Sequence, residues 1–160
     1  MEYLDELAYI LLHPDEDYGI RGAAILTLLT DVVTTLFLLF YSGLPVTEFN
    51  PLGSFLLSGE FLGTTLFMSI PLFTLLILIY LPGILGNAVA MTSFIVHAFA
   101  TLINLSHAAG TPLEYYLGVT AYQAYVFAII TSALFSFFWY LPRLRDRAHE
   151  FREDRPDPVV

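Results

Sequence analysis

Residues 61–113 read FLGTTLFMSIPLFTLLILIYLPGILGNAVAMTSFIVHAFATLINLSHAAGTPL, a run of 53 residues without Asp, Glu, Lys or Arg. Crossing the hydrocarbon of a bilayer takes about 20 apolar residues, so this run predicts two spanning helices, 61–81 and 85–108. Pro82, Gly83, Gly86 and Asn87 supply the turn between them. Upstream, Asp31 is the only charged residue between Arg21 and Glu48, and 22–42 reads as a span carrying one acid. Downstream, the 28 residues between Glu114 and Arg143 carry no formal charge and predict a span over 115–141. It ends in Phe137, Phe138, Trp139 and Tyr140, rings that suit headgroup level. The predicted fold is an all-α membrane protein, a bundle of four transmembrane helices in one domain over 1–142.

Composition agrees and excludes some chemistry. Apolar residues make up 57% of 160, and mean hydropathy is +0.71, more than a soluble domain of that size needs. All six basic residues are Arg, so no lysine amine can form a retinal or pyridoxal phosphate Schiff base. Absence of Cys removes disulfides, thiolate metal sites and covalent haem attachment. A net charge of −9 repels nucleic acid and anionic lipid. This acidic, lysine-free composition resembles that of proteins from salt-loving archaea.

Arg143, Arg145 and Arg147 follow the last span and Arg21 precedes the first, which predicts cytoplasmic N- and C-termini in a cell membrane. An even number of spans satisfies both. Acids alternate with apolar pairs over the first 20 residues, predicting a short amphipathic helix on the interface and no signal peptide. In the outer connection Asn50-Pro51 is a helix-start pattern, predicting an interfacial or re-entrant helix over 51–57. Pro71 is placed to kink the second span. Residues 143–160 have too little apolar surface to pack and read as a polar, solvated tail.

An ionisable group in a bilayer costs about 2.5–3.5 kcal/mol on insertion scales, so Asp31 is a functional candidate by default. It lies about 15 Å deep at 1.5 Å per residue. Thr27, Asp31 and Thr34 share one helix stripe, flanked by Thr30 and Thr35. In the third span His97, Thr101, Asn104 and His107 recur at spacings of four, three and three. Counted from Leu85, His97 sits about 18 Å deep, close to the level of Asp31. Gln123, with Thr120 and Tyr116, can join at the level of Thr101 and Asn104. Glu48 and Asn50 stand at the outer mouth, while Leu85, Val89, Ile130 and Leu134 line an apolar inner half. The pattern predicts a polar cavity open outward. Interhelical hydrogen bonding is the plain reading of the same stripes, since Asn and His are ordinary glue between membrane helices.

The segments Asp31-Val-Val-Thr34-Thr35 and Glu48-Phe-Asn50-Pro51-Leu carry the patterns D-x-x-T-T and E-x-N-P-L. In these the chain resembles a family of small polytopic membrane proteins of archaea and bacteria. The resemblance covers the first half of the chain and implies a compact bundle in which Asp31 and Glu48-Asn50 belong to one site. No activity comes with it.

Three functions fit these residues. One is a structural or binding protein of the lipid bilayer, with a homodimer or a larger membrane complex as partner. Another is a membrane-embedded hydrolase holding a divalent metal through Asp31, His97, His107 and Glu48, which offer carboxylate oxygen and imidazole nitrogen. The third is a cation- or proton-translocating component in which Asp31 captures the ion.

Overall fold

The computed structural model describes residues 2–13, 17–41, 61–112, 118 and 120–153, and within these all regular structure is helical. The helices are α1 (Glu2–Leu12), α2 (Tyr18–Tyr41), α3 (Phe61–Tyr80), α4 (Gly83–Ala108) and α5 (Ala121–Glu153). Three stretches are long and apolar enough to cross a membrane: Tyr18–Leu38, Gly83–Ala108 and Gln123–Glu153. The outer connection with Glu48, Asn50 and the expected 51–57 helix lies outside the described residues.

Helix boundaries follow capping chemistry that the apolar runs do not show. Helix α2 starts at Tyr18, earlier than expected, because the Asp17 carboxylate accepts the Ile20 backbone N–H at 3.2 Å. Helix α5 begins later than the expected 115. The Thr120 hydroxyl accepts the Gln123 backbone N–H (3.2 Å) and the Gln123 side chain accepts that of Thr120 (3.0 Å), a reciprocal capping box.

Helix α4 is the hub of the packing. It lies along α2 with residue pairs Arg21/Asn87 and Asp31/His97 in contact, an offset of 66 in both, so the two helices run parallel. The positions that meet, 21, 24, 28, 31 and 35 on α2 and 87, 90, 94, 97 and 104 on α4, recur at spacings of three, four and seven, as in a heptad seam. Ala24, Leu28, Leu78 and Ala90 form a buried apolar layer in which α3 meets this pair, with Leu75, Val89 and Phe94 packed around it. Layers of this kind, rather than the expected Leu85, Ile130 and Leu134, fill the half near Arg21. Ile130 and Leu134 are exposed on the far side of α5.

Helix α5 packs on α4 through Ala124, Ala128, Ser132, Ser136 and Tyr140, one residue per turn and all buried. The small side chains at the first four of these positions let two backbones approach closely. The Thr92 hydroxyl donates to Ser136 Oγ at 3.0 Å across this contact. Phe127, Phe138 and Trp139 occupy the opposite, exposed face.

The expected solvated tail is helical as far as Glu153, through Pro142. It is held by α1 and the residue after it: Arg152 reaches Glu6 (3.2 Å), the Phe151 ring lies tilted against Tyr9 (5.2 Å between centroids) and Arg147 donates to His13 (3.1 Å). Glu6 and Tyr9 share one face of α1, with His13 in line just past its end, and together they supply the partner which 143–153 lacks by itself. Residues 154–160 lie outside the described part. The remaining face of α1 leaves Tyr3, Leu4, Leu7 and Leu12 exposed.

Candidate functional site

Ten residues along α2 from Arg21, and ten along α4 from Asn87, Asp31 and His97 meet. His97 Nδ1 lies 2.8 Å from Asp31 Oδ2, and both side chains are mostly buried, at 22% and 16% exposure. The other carboxylate oxygen, Oδ1, accepts from Asn104 Nδ2 at 3.0 Å. The same amide nitrogen is 3.3 Å from Thr34 Oγ1 and 3.0 Å from Thr35 Oγ1. Thr34 in turn donates to the Asp31 carbonyl at 3.0 Å, which frees its lone pair for Asn104. Four of the expected residues, Thr34, Thr35, His97 and Asn104, thus converge on Asp31.

With the carboxylate ionised, the short bond has hydrogen on His97 Nδ1, since Asp31 can only accept. The opposite nitrogen, Nε2, then carries a lone pair. It makes no hydrogen bond to the described residues. One turn further, the Thr101 hydroxyl is buried and likewise lacks a partner among them. A carboxylate that orients an imidazole and leaves its far nitrogen open is the arrangement that accepts and releases a proton, or ligates a cation.

The other expected residues are placed differently. Thr27 and Thr30 bond back to their own helix, at Ala23 and Leu26 carbonyls, the usual way a hydroxyl is satisfied in an apolar setting. Gln123 is exposed and occupied in the α5 cap, so it does not reach Thr101 or Asn104. His107 is half-buried ten residues beyond His97, about 15 Å along the helix axis, too far for one metal ion to hold both. Among the described residues no three His, Asp or Glu side chains converge as a metal site. Glu48 and Asn50 lie outside those residues.

A second polar cluster, between Arg21 and Asn87, escaped the sequence reading. Arg21 Nε donates to Asn87 Oδ1 at 2.9 Å, and Nη2 approaches the Gly83 carbonyl at 3.4 Å. Asn87 is fully buried, and the Asp17 backbone N–H reaches the same oxygen at 3.4 Å. Two glycines make room: a Cβ on Gly86 would sit 2.5 Å from Arg21 Nη2 and collide with the Leu81 carbonyl. One on Gly83, whose φ is +66°, would lie 2.6 Å from the Leu11 carbonyl of α1. The signal was present as Gly83, Gly86 and Asn87, read only as turn formers.

No family model, curated protein or solved structure matches the chain.

Proposed function

We propose that this is a four-span integral membrane protein, both termini cytoplasmic, whose Asp31–His97 pair is a proton- or cation-binding site reached from the outer side. The spans are α2, α3, α4 and α5. Parallel α2 and α4 support this count, because both leave from the Arg21 end and the chain between them must return. A 20-residue α3 offers the return, about 30 Å at 1.5 Å per residue. Arg21, Arg147 and Arg152 gather at one end of the helices with α1, which under the positive-inside rule is the cytoplasmic one. The exposed stripe of Tyr3, Leu4, Leu7 and Leu12 suits an α1 lying on that membrane surface.

One observation carries the binding reading: His97 turns Nδ1 to a mostly buried carboxylate, and its Nε2 makes no hydrogen bond to the described residues. The dry layer of Ala24, Leu28, Leu78 and Ala90 separates this pair from the arginine end, which favours exchange from the other side. Purified protein in liposomes loaded with a pH-sensitive dye tests it. A proton flux that follows an imposed potential and is lost in both Asp31→Asn and His97→Gln is expected. Equal leak in wild type and variants would refute translocation.

A structural role is the second reading, favoured by the bonding of both Asp31 oxygens to α4, through His97 and Asn104. It predicts that the same variants loosen the α2–α4 contact and change no flux.

A further inference from the structure

The stripe by which α5 packs on α4 changes character along its length. Away from the arginine end it is Ala124 and Ala128; toward that end it is Ser132, Ser136 and Tyr140, all fully or almost fully buried. Close packing needs only small side chains, and Ala supplies them with no polar group to satisfy. Hydroxyls on three successive turns of an apolar seam therefore call for a second reason. The Thr92 hydroxyl donates to Ser136 Oγ at 3.0 Å, and the Arg143 guanidinium lies over the Tyr140 ring at 5.4 Å from its centroid.

A separate observation comes from Ser93 on α4. It is 8% exposed, and its buried Oγ makes no hydrogen bond to the described residues. Thr27, Thr30, Thr74 and Thr92, by contrast, each donate to a carbonyl of their own helix, the usual outcome in an apolar setting. The helices packed at this level, α2 at Leu28, α3 at Leu75 and α5 at Ser136, all belong to the described residues. Ser93 stands one turn from His97, about 6 Å along the axis toward the arginine end, and helical spacing turns it to the Thr92 side. An unbonded buried hydroxyl thus lies between the imidazole and the hydroxyls of the α4–α5 seam.

We infer that this seam is the inner half of a proton route, running from His97 through Ser93 and the Thr92–Ser136 pair to Tyr140. The route rests on the proposed proton binding at Asp31–His97. It supplies the exit that the apolar layer of Ala24, Leu28, Leu78 and Ala90 closes on the other side of α4. A hydroxyl both donates and accepts, so it can pass a proton on without keeping a charge. The N–H bond at His97 Nε2 breaks as an O–H bond forms on the next oxygen, and each oxygen releases its own hydrogen to the one beyond. One proton enters at the imidazole and one leaves at the arginine end, while Asp31 stays ionised and His97 keeps its hydrogen on Nδ1. Water bridges the steps that are longer than a direct hydrogen bond.

The test is proton flux in liposomes loaded with a pH-sensitive dye, comparing wild type with Asp31→Asn, Ser93→Ala, Ser136→Ala and Thr74→Ala. Each serine variant loses a hydroxyl and keeps a small side chain, so the packing of α5 on α4 is preserved. The expected result is a flux about tenfold lower or less in Ser93→Ala and Ser136→Ala, abolished in Asp31→Asn and unchanged in Thr74→Ala. The nitrogen-15 signal of His97 Nδ1 should persist in both serine variants, which a collapse of the site would not allow. Wild-type flux that Asp31→Asn removes and neither serine variant lowers overturns the route and leaves the Asp31–His97 reading standing. Absence of wild-type flux overturns both. Should one serine variant disturb the His97 signal, the other decides.

Discussion

Replacing His97 by Leu should destabilise the fold more than replacing Asp31 by Asn, although Asp31 carries the charge. Leu at 97 strips Oδ2 of its 2.8 Å partner and leaves a carboxylate that, among the described residues, only Asn104 holds. Asn at 31 keeps the shape and is neutral, so whatever it fails to bond costs less. Interhelical hydrogen bonds in membranes average about 0.6 and reach about 1.7 kcal/mol, and charge-assisted ones are roughly twice as strong as neutral ones. Orphaning one partner of a buried ion pair costs about 3–5 kcal/mol in soluble proteins, an upper bound here because Asp31 keeps Asn104. We expect about 2–3 kcal/mol for His97→Leu and about 1 kcal/mol for Asp31→Asn. The double variant should cost no more than His97→Leu alone, a coupling of about 1–2 kcal/mol. Equilibrium unfolding by sodium dodecyl sulfate in mixed micelles, followed by helical circular dichroism, measures all four proteins. Additive losses, or a larger loss for Asp31→Asn, would refute the contact.

Other outcomes follow from the packing. Gly86→Ala drives a methyl group into the Leu81 carbonyl and the Arg21 guanidinium, and should cost about 2–4 kcal/mol in the same unfolding assay. Ser132→Leu, on the buried stripe of α5, should cost about 1–3 kcal/mol by forcing α5 off α4, and engineered cysteines at 92 and 136 should then cross-link more slowly. Gln123→Ala removes half a capping box, worth about 0.5–2 kcal/mol, and should speed hydrogen exchange in the first turn of α5 while leaving the His97 signals in place. Arg147→Ala with Tyr9→Ala should release α1, raising its hydrogen exchange and that of 143–153 together.

The meeting of Asp31 with His97 was legible because helix rise converts sequence position to depth, and two polar stripes at one depth have few partners other than each other. Asn104 and Thr35 fell on the same faces and joined for that reason. Gln123 did not, because a side chain near a helix start can cap it, and T-x-x-Q is also a capping signature that depth counting ignores. The fate of 143–153 was illegible for a different reason. Its own composition is too polar to pack, and the aromatic and charged partners on α1 lie more than 130 residues away in sequence. Arg21 looked like a topology marker, and only the closeness of Gly83 and Gly86 reveals a buried guanidinium.

Nitrogen-15 spectra of the histidine side chains in lipid nanodiscs test the central contact most directly. His97 is expected to hold its hydrogen on Nδ1, as a strongly downfield proton that is lost or displaced in Asp31→Asn. A His97 protonated only on Nε2, with a spectrum indifferent to Asp31→Asn, would contradict it.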